Sequence, residues 1–547
     1  MGGGLMQLVS YGAQDIYISG NPQITFWKVL YKRHTNFAVE SIEVTFNGQA
    51  DFNKRVTAII NRNADLMYKT YIQVVLPQIT LGSSGTWQSA GVNGTANKTS
   101  GFRWLNYIGH RLIKQVEIEI GGQRIDRQYG DWMQIWTQLS TEAGTVRALE
   151  SLVGNTHDLV LMKRGTGLAL DATCTSTETT VSCVPRNGTP AKTLYIPLQF
   201  WFCRNPGLAI PLIALQYHEV RINVDFETWQ NCQYTESSMG VPTNSLAAQS
   251  LAAASLYVDY VYLDTEERRR FAQQSHEYLI EQVQYTGAES ITSSSNKVQL
   301  NFNHPVKELQ WVVQRDSFVD CSAQNWIASV GGPQPFNYSD DFSTDGIIVS
   351  LLAQAGSNGE GTTLQASGAQ SAQIVSDAVA TNNVSFGATT NLGQGVTQQS
   401  NMYGADTQDL TGANEFEAGV NYLLAKVILD TGVRCEGKNP VEVAKLQLNG
   451  QDRFTEREGS YFDKVQPFQH HSRTPSTGVN VYSFALRPEE HQPSGTCNFS
   501  RIDKATLQLT VSINTVTGSR TAQVRVYALN YNVLRVMSGM GGLAYSN

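Results

Sequence analysis

Two distant stretches of the chain spell nearly the same strand and turn. They are Val116-Glu117-Ile118-Glu119-Ile120-Gly121-Gly122-Gln123 and Ala444-Lys445-Leu446-Gln447-Leu448-Asn449-Gly450-Gln451. In each, apolar residues alternate with charged or polar ones, so one strand face enters a core and the other meets polar surroundings. Each runs into Gly-Gly or Asn-Gly, the pairs that supply positive φ for a tight hairpin turn. Beyond the turn stand Gly130-Asp131-Trp132 in one and Gly459-Ser460-Tyr461-Phe462 in the other.

Other segments echo in the same order. Glu277 to Tyr285 matches the alternating Ser41 to Asn47, and Asn296-Lys297-Val298 through Trp311-Val312-Val313 matches Asn53-Lys54-Arg55-Val56 through Ile72-Gln73-Val74. Val481 to Leu486 corresponds to Leu194 to Leu198, Ala505 to Leu509 to Val220 to Val224, and Val524 to Val536 to the strand Leu256 to Leu263. Echoes in one order amount to a duplication. Each half carries about eight strand candidates, enough for a two-sheet sandwich or jelly roll with its own core. The expected class is therefore all-β, two tandem eight-stranded jelly-roll barrels with short helices and long surface loops.

Length agrees, since 547 residues exceed what one core organises. Hydrophobic residues at 41% against 16% charged exclude disorder by charge excess. A formal charge of −7 gives no reason to expect general nucleic-acid binding. The seven cysteines, at 174, 183, 203, 232, 321, 435 and 497, form no CxxC pair and read as reduced thiols. MGGGLMQLVSYGAQD lacks the basic and apolar regions of a secretory signal, and no run approaches a membrane span. Gly2 invites N-myristoylation, but Met6 stands where that motif needs Ser or Thr.

Along the chain, residues 1–36 read as an N-terminal arm. Leu5, Leu8, Val9, Gly12, Ala13, Ile16 and Tyr17 lie on one helical face, weakened by Gly12 and ended by Ser19-Gly20-Asn21-Pro22. The first barrel spans 37–264, with a surface loop at 81–101 and a polar insert from 228 to about 250. Asp131 is placed to N-cap a short helix bearing Trp132, Ile135, Trp136 and Leu139. Residues 265–275 form a connector, with acids first and bases last in keeping with its dipole. The second barrel spans 276–547 and carries a long Gly/Ser/Thr-rich surface insertion at about 331–420.

Chemistry is sought and not found: no catalytic, cofactor-binding or metal residues are assigned. Gly432 to Asn439 nearly spells a phosphate-binding loop, but Asn439 replaces the Mg²⁺-binding Ser/Thr, and Pro440 disfavours the helix that should follow. His470, His471, His491 and Cys497 lack zinc-site spacing and read as solvated turn residues. Glu489-Glu490 are too close in one loop to flank a glycosidic bond and read as a solvated acidic turn. Phe200-Trp201-Phe202 reads as core rather than a sugar platform. Asn-x-Ser/Thr occurs at Asn93, Asn97, Asn187, Asn337, Asn383 and Asn498, in keeping with a composition rich in these residues.

Ile24-Thr25-Phe26-Trp27-Lys28 with Tyr31-Lys32-Arg33-His34-Thr35-Asn36-Phe37-Ala38 resembles the N-terminal signature of major capsid proteins of nucleocytoplasmic large double-stranded DNA viruses. Leu256 to Phe271 with His276-Glu277-Tyr278-Leu279-Ile280, and Pro488 to Arg501, are similar to them as well. The likeness covers nearly the whole chain and fits the algal-virus and mimivirus-like branches best. It implies a double jelly roll, no cofactor, and a homotrimer forming a pseudo-hexagonal capsomer that tiles an icosahedral shell. It also implies assembly in the host cytoplasm and a place in the virion, with residues 1–36 facing inward and 331–420 outward. Implied partners are neighbouring capsomers, minor capsid and penton proteins, an inner viral membrane at the capsid base, and host-surface glycans on outer loops. No sequence-specific nucleic-acid contact is implied. Lys28, Lys32, Arg33 and His34 suit contact with the membrane or minor proteins, or intramolecular salt bridges. The competing reading is a carbohydrate-binding or carbohydrate-active jelly-roll protein, for which the sequence offers no convergent carboxylates.

Overall fold

The computed structural model describes residues 8, 10–80, 99–160, 163–164, 188–237, 248–319, 332–340, 437–518 and 520–545. Sixteen main strands fall into two sets of eight, all paired antiparallel. The first set is β1 (Phe37–Thr45), β2 (Arg55–Ile60), β3 (Leu66–Leu76), β4 (Ile113–Ile120), β5 (Gln123–Tyr129), β6 (Lys192–Pro197), β7 (Val220–Phe226) and β8 (Ala253–Leu263). The second is β9 (His276–Ile291), β10 (Ser295–Gln299), β11 (Pro305–Arg315), β12 (Val441–Leu448), β13 (Gln451–Asp452), β14 (Val479–Ser483), β15 (Ala505–Val511) and β16 (Ala522–Met537). A short strand, β17 (Met540–Leu543), folds back on β16.

The first half makes sheets in the order β1-β8-β3-β6 and β2-β7-β4-β5, and the second makes β9-β16-β11-β14 and β10-β15-β12-β13. Adding eight to each label of one half gives the other. Every pairing inferred from the sequence echoes therefore has its counterpart in space, and the chain is a double jelly roll. The repeated turns match too: Gly121 and Gly122 have φ of 59° and 82°, and Asn449 and Gly450 have 52° and 80°. Both pairs thus sit in the left-handed region that a two-residue hairpin turn needs. Gly130 and Gly459, just beyond, are equivalent in a second way. A Cβ on Gly130 would lie 2.1 Å from the His110 carbonyl oxygen, and one on Gly459 would lie 1.8 Å from that of Val441.

Alternation builds the cores. In the second half, Leu309, Trp311 and Val313 of β11 face Val524, Val526 and Ala528 of β16 and Leu507 and Leu509 of β15. In the first half, Ile72 and Val74 of β3 join Leu256 and Val258 of β8 and Val116, Ile118 and Ile120 of β4. The helix α2 (Gly130–Ser140) closes that core with Trp132, Trp136 and Leu139, all buried. Its start departs from expectation. Tyr129 holds the N-cap position, and Asp131 lies in the first turn with its carboxylate turned to Arg525.

Three other expectations need correction. The N-terminal arm is not one long helix: its described part has a single turn, α1 (Ile16–Ser19), because Gly12 and the sequence Ser-Gly-Asn-Pro leave no room to propagate a nucleus. The polar insert after residue 228 holds core: Gln233–Ser237 pairs with Thr99–Trp104, and Trp229 and Cys232 are buried with Phe102 and Trp104. Residues 81–98 of the expected surface loop lie outside the described residues. At the head of the 331–420 insertion, Phe336 and Tyr338 are buried; residues 341–420 lie outside the described residues. The helix α3 (Thr265–Gln273) carries the expected acids first and base last, between β8 and β9.

Candidate assembly surfaces

From residue 21 the arm runs without helix or strand up to β1. Phe26, Trp27 and Tyr31 are 90%, 96% and 86% exposed, and Leu8, Tyr11, Tyr17, Ile24, Val29 and Leu30 are also uncovered. Large apolar side chains in such continuity are the mark of an interaction surface rather than of ordinary solvent-facing chain. Lys28, Lys32 and Arg33 make no ion pair among the described residues, so the intramolecular salt bridges considered for them are not formed.

The junction between the halves is the second surface, and it is filled within the chain. One face of the sheet β9-β16-β11-β14 lines the second core. The other face, with Ile280, Val312, Val479, Val481, Tyr527 and Leu529, belongs to the first cluster. As a result β11 is buried along almost its whole length, whereas its counterpart β3 alternates. Against that face lie β5, α2 and the Phe200–Arg204 segment. Asp126 Oδ1 accepts the Val283 N–H at 3.0 Å, Arg473 N donates to Leu139 O at 3.1 Å, and Tyr129 meets the Tyr285 ring at 4.9 Å.

Charges at this junction are buried and matched. Glu281 receives Arg204 from the first half at 2.9 Å and Lys307 at 2.6 Å. Burial alone would raise the Glu281 carboxyl, but these two cations hold it below its ordinary value. Asp131 pairs with Arg525, whose guanidinium also reaches Gln314. Burial would lower Arg525, and Asp131 outweighs it, so its charge is secured. Asp126 has hydrogen bonds and makes no ion pair among the described residues; burial outweighs these bonds and the more distant Arg204 and pushes it up to about 6.

His471 completes the set. Its imidazole is buried, with Nδ1 2.9 Å from Glu489 and Nε2 3.1 Å from Glu308, the latter an ionic contact rather than an aligned hydrogen bond. Burial opposes its charge, yet Glu308 and then Glu489 raise it to about 9. The Trp136 ring stands edge-on to His471 at 6.4 Å and carries the Arg204 guanidinium 4.9 Å from its centroid. The expectation of solvated turn histidines and a solvated Glu489 is thus corrected: the paired charges are cheaper buried together than apart. His470 hydrogen-bonds the Leu486 carbonyl, and Glu490 pairs with the exposed Arg487. Lys307 and Glu308, side by side in an apolar strand, were the one sequence signal of this cluster.

A third surface is open. On the outer face of β1-β8-β3-β6, Tyr71 and Tyr257 stack in parallel at 5.4 Å, and Tyr195 meets Tyr71 edge-on at 6.0 Å. Glu43, which accepts the Tyr257 hydroxyl at 3.5 Å, and Asp259 have no ion pair among the described residues.

Of the remaining sequence candidates, Phe200, Trp201 and Phe202 are core, as expected. Residues 432–436 of the phosphate-loop near-match, and Asn93, Asn97, Asn187 and Asn383, lie outside the described residues. Asn498 is exposed and caps a 3-10 turn, while Asn337 is half-buried and folds onto Ser339. Among the described residues no three His, Cys, Asp or Glu side chains are placed to hold a metal ion.

Comparison with known proteins places this geometry. Residues 25–264 match the family model described as major capsid protein N-terminus, and 267–542 that of large eukaryotic DNA virus major capsid protein. The chain is 54% identical, over the full length of both, to the major capsid protein of Phaeocystis pouchetii virus. It is 37% identical to that of Paramecium bursaria Chlorella virus 1, again over the full length of both. Among solved structures it resembles the quasi-atomic PBCV-1 virus capsid, with TM-score 0.57, 31% identity, and 96% of this chain and 100% of the other covered. The Faustovirus major capsid protein shares the fold at TM-score 0.61 and 14% identity, with 96% and 95% covered.

Proposed function

This chain belongs to the major capsid protein family of large eukaryotic DNA viruses, and from that premise we propose that three copies assemble into a pseudo-hexagonal capsomer of an icosahedral shell. The observation that carries this reading is the identical strand order of the two halves. Two like but unequal barrels per chain let threefold symmetry imitate sixfold packing. The role is structural and without catalysis. The exposed, basic and aromatic arm contacts what lies under the shell, either minor capsid and penton proteins or an inner membrane surface. Outer loops of the shell meet host glycans, and assembly takes place in the host cytoplasm. Sequence-specific nucleic-acid contact has no part in it.

Electron microscopy of the purified chain tests the reading. Roughly hexagonal particles, and tiled arrays at higher concentration, are expected. A lasting monomer of 60.2 kDa would overturn it.

A further inference from the structure

The junction between the halves is filled along most of its length but opens at one end. Strands β5 and β9 are each the terminal strand of a sheet, and they run side by side without pairing with each other. What joins them is side chains: Gln282 Nε2 donates to the Ile125 carbonyl, and Asp126 accepts the Val283 N–H. Between the two strands lies a cleft of about 370 Å³, with Tyr129 and Tyr285 among its walls and Asn301 and Leu543 beside them. A terminal strand turns alternate N–H and C=O groups away from its own sheet. Both long walls of the cleft therefore offer backbone as well as side chains. The end at which it opens can be traced from contact to contact. Gln123 follows the turn at Gly121, whose N–H donates to Glu219 at 3.0 Å, and Arg62 reaches the neighbouring His218 carbonyl at 3.3 Å. Asp65, in the same β2–β3 connection, pairs with Arg268 of α3 at 3.0 Å and accepts the Leu263 N–H at 2.9 Å. Leu263 is the register partner of Phe37, where the arm ends.

A fault in the ladder sets the charge of this cleft. Glu119 faces Arg124 and Ile118 faces Asp126, so Ile125 is the extra residue of a β-bulge. Strict alternation would send Arg124 and Arg127 to opposite faces of β5; the bulge sends both to the outer one. There they converge with Arg55 on Glu117, which is only 3% exposed. Arg55 approaches to 2.7 Å, Arg127 is in close contact, and Arg124 stands off at 3.8 Å. Three guanidinium groups thus share one buried carboxylate. Arg124, 54% exposed and held by that loose contact alone among the described residues, retains donors for an incoming anion. Glu119, across the ladder, makes no ion pair with it among the described residues. Asp126 is turned into the wall, where it accepts from Val283 and Gln128.

We propose that this cleft binds an extended acidic peptide segment of a protein lying under the shell. The segment enters as an added strand, its backbone bonded along the free edges of β5 and β9 and its carboxylates on Arg124 and Arg127. Tyr129 and Tyr285 supply flat, rigid contact area for the side chains between the acids. The arm of another copy is the wrong occupant, because Lys28, Lys32 and Arg33 would be brought against the cleft's arginines. The proposal rests on the capsomer reading for the side of the shell on which the partner lies. The cleft itself belongs to a single chain.

Fluorescence anisotropy with the full chain tests it, using labelled acetyl-Thr-Glu-Val-Glu-Thr-Glu-amide at concentrations up to millimolar. The wild type should bind this peptide and not its Thr-Lys counterpart. Arg124→Glu should weaken binding by about tenfold. Asn301→Trp, which narrows the cleft without touching a charge, should block it. Both positions are exposed, and an unchanged circular dichroism spectrum verifies the fold of each variant. The same peptide N-methylated at alternate residues keeps every carboxylate but loses backbone donors, and it should not bind. Absence of binding to the wild type overturns the proposal, as does equal binding by either variant or by the methylated peptide. Phosphatidylglycerol vesicles that bind through Arg124 where the peptide does not would make the site a lipid-headgroup site and overturn it too. Mass measured on the same sample separates the two readings. A chain at three times 60.2 kDa without peptide binding overturns the proposal alone, whereas a monomer that binds overturns the capsomer reading and spares the cleft.

Discussion

Stability should fall as pH rises through the titration of His471, and the geometry fixes both sign and size. The imidazole is buried between Glu308 and Glu489, which raise it from 6.5 to about 9. A group whose folded pKa is raised binds its proton more tightly in the native state. Its contribution is complete below the unfolded value and is lost as pH climbs through the folded one. At roughly 1.36 kcal/mol per unit, the shift corresponds to about 3 kcal/mol, present at about pH 6 and gone above about pH 9. Arg204 approaches across Trp136 and Lys307 adjoins Glu308, so two fixed cations face the same site.

The assay is thermal unfolding of the wild type and His471→Gln from about pH 6 to pH 9.5. Glutamine cannot charge, so the difference between the two reports His471 together with the carboxylates Glu308 and Glu489 paired with it. At pH 6 the variant should melt lower by about 6–12 °C if a half unfolds as a unit of about 250 residues. The gap should narrow steadily and shrink toward the loss of hydrogen bonding alone by pH 9.5. A gap that stays constant across the range would refute the buried ion-pair account and return His471 to a neutral packing role.

Four further outcomes are expected. Asp131→Asn or Arg525→Met alone should destabilise by about 3 kcal/mol in denaturant titration by stranding a buried charge, and the double variant should recover much of the loss. Asp126→Asn should raise the melting point at pH 8 but not at pH 4. The buried carboxyl titrates near 6 instead of 3.8, so ionisation opposes folding only above that window, by about 3 kcal/mol. Gly130→Ala and Gly459→Ala should each abolish soluble expression, because their methyl groups would fall 2.1 Å and 1.8 Å from carbonyl oxygens. Removal of residues 1–22 should leave capsomers intact by mass and stop shells from forming by microscopy; normal shells would dismiss the arm from assembly.

The duplication could be read from the sequence because strands facing a core must alternate and hairpin turns need Gly or Asn. Both marks survive divergence, so Val116–Gln123 and Ala444–Gln451 found each other and seven of the eight strand positions followed, the short strand after the shared turn excepted. Surfaces between the halves were harder to read. A polar residue facing water and one facing a charged neighbour across a junction look alike in sequence. His471 and Glu489 therefore read as ordinary surface, and the buried Trp229 and Cys232, with the strand Gln233–Ser237 that follows, were hidden in a polar insert. The arm misled in the opposite sense. Its helical periodicity is real, but with no core to bury the stripe, Gly12 was enough to confine the helix to one turn.

Unequal treatment of equal strands is what turns a duplicated chain into an assembling one. Had β3 become as apolar on both faces as β11, the first sheet would expose a broad hydrophobic surface in every unassembled chain. Had it become wholly charged, no barrel could settle on it. Tyr71, Tyr195 and Tyr257 stand between these extremes, with stacked rings that can be buried and hydroxyls that bond Ser41, Gln73 and Glu43 meanwhile. Replacing Tyr257 by Phe keeps the ring and removes the hydroxyl that meets Glu43. If the face serves both states, that change should leave the capsomer's mass unaltered but increase non-specific aggregation of chains released at low concentration. Equal aggregation of the two proteins would mean the hydroxyls contribute nothing to solubility.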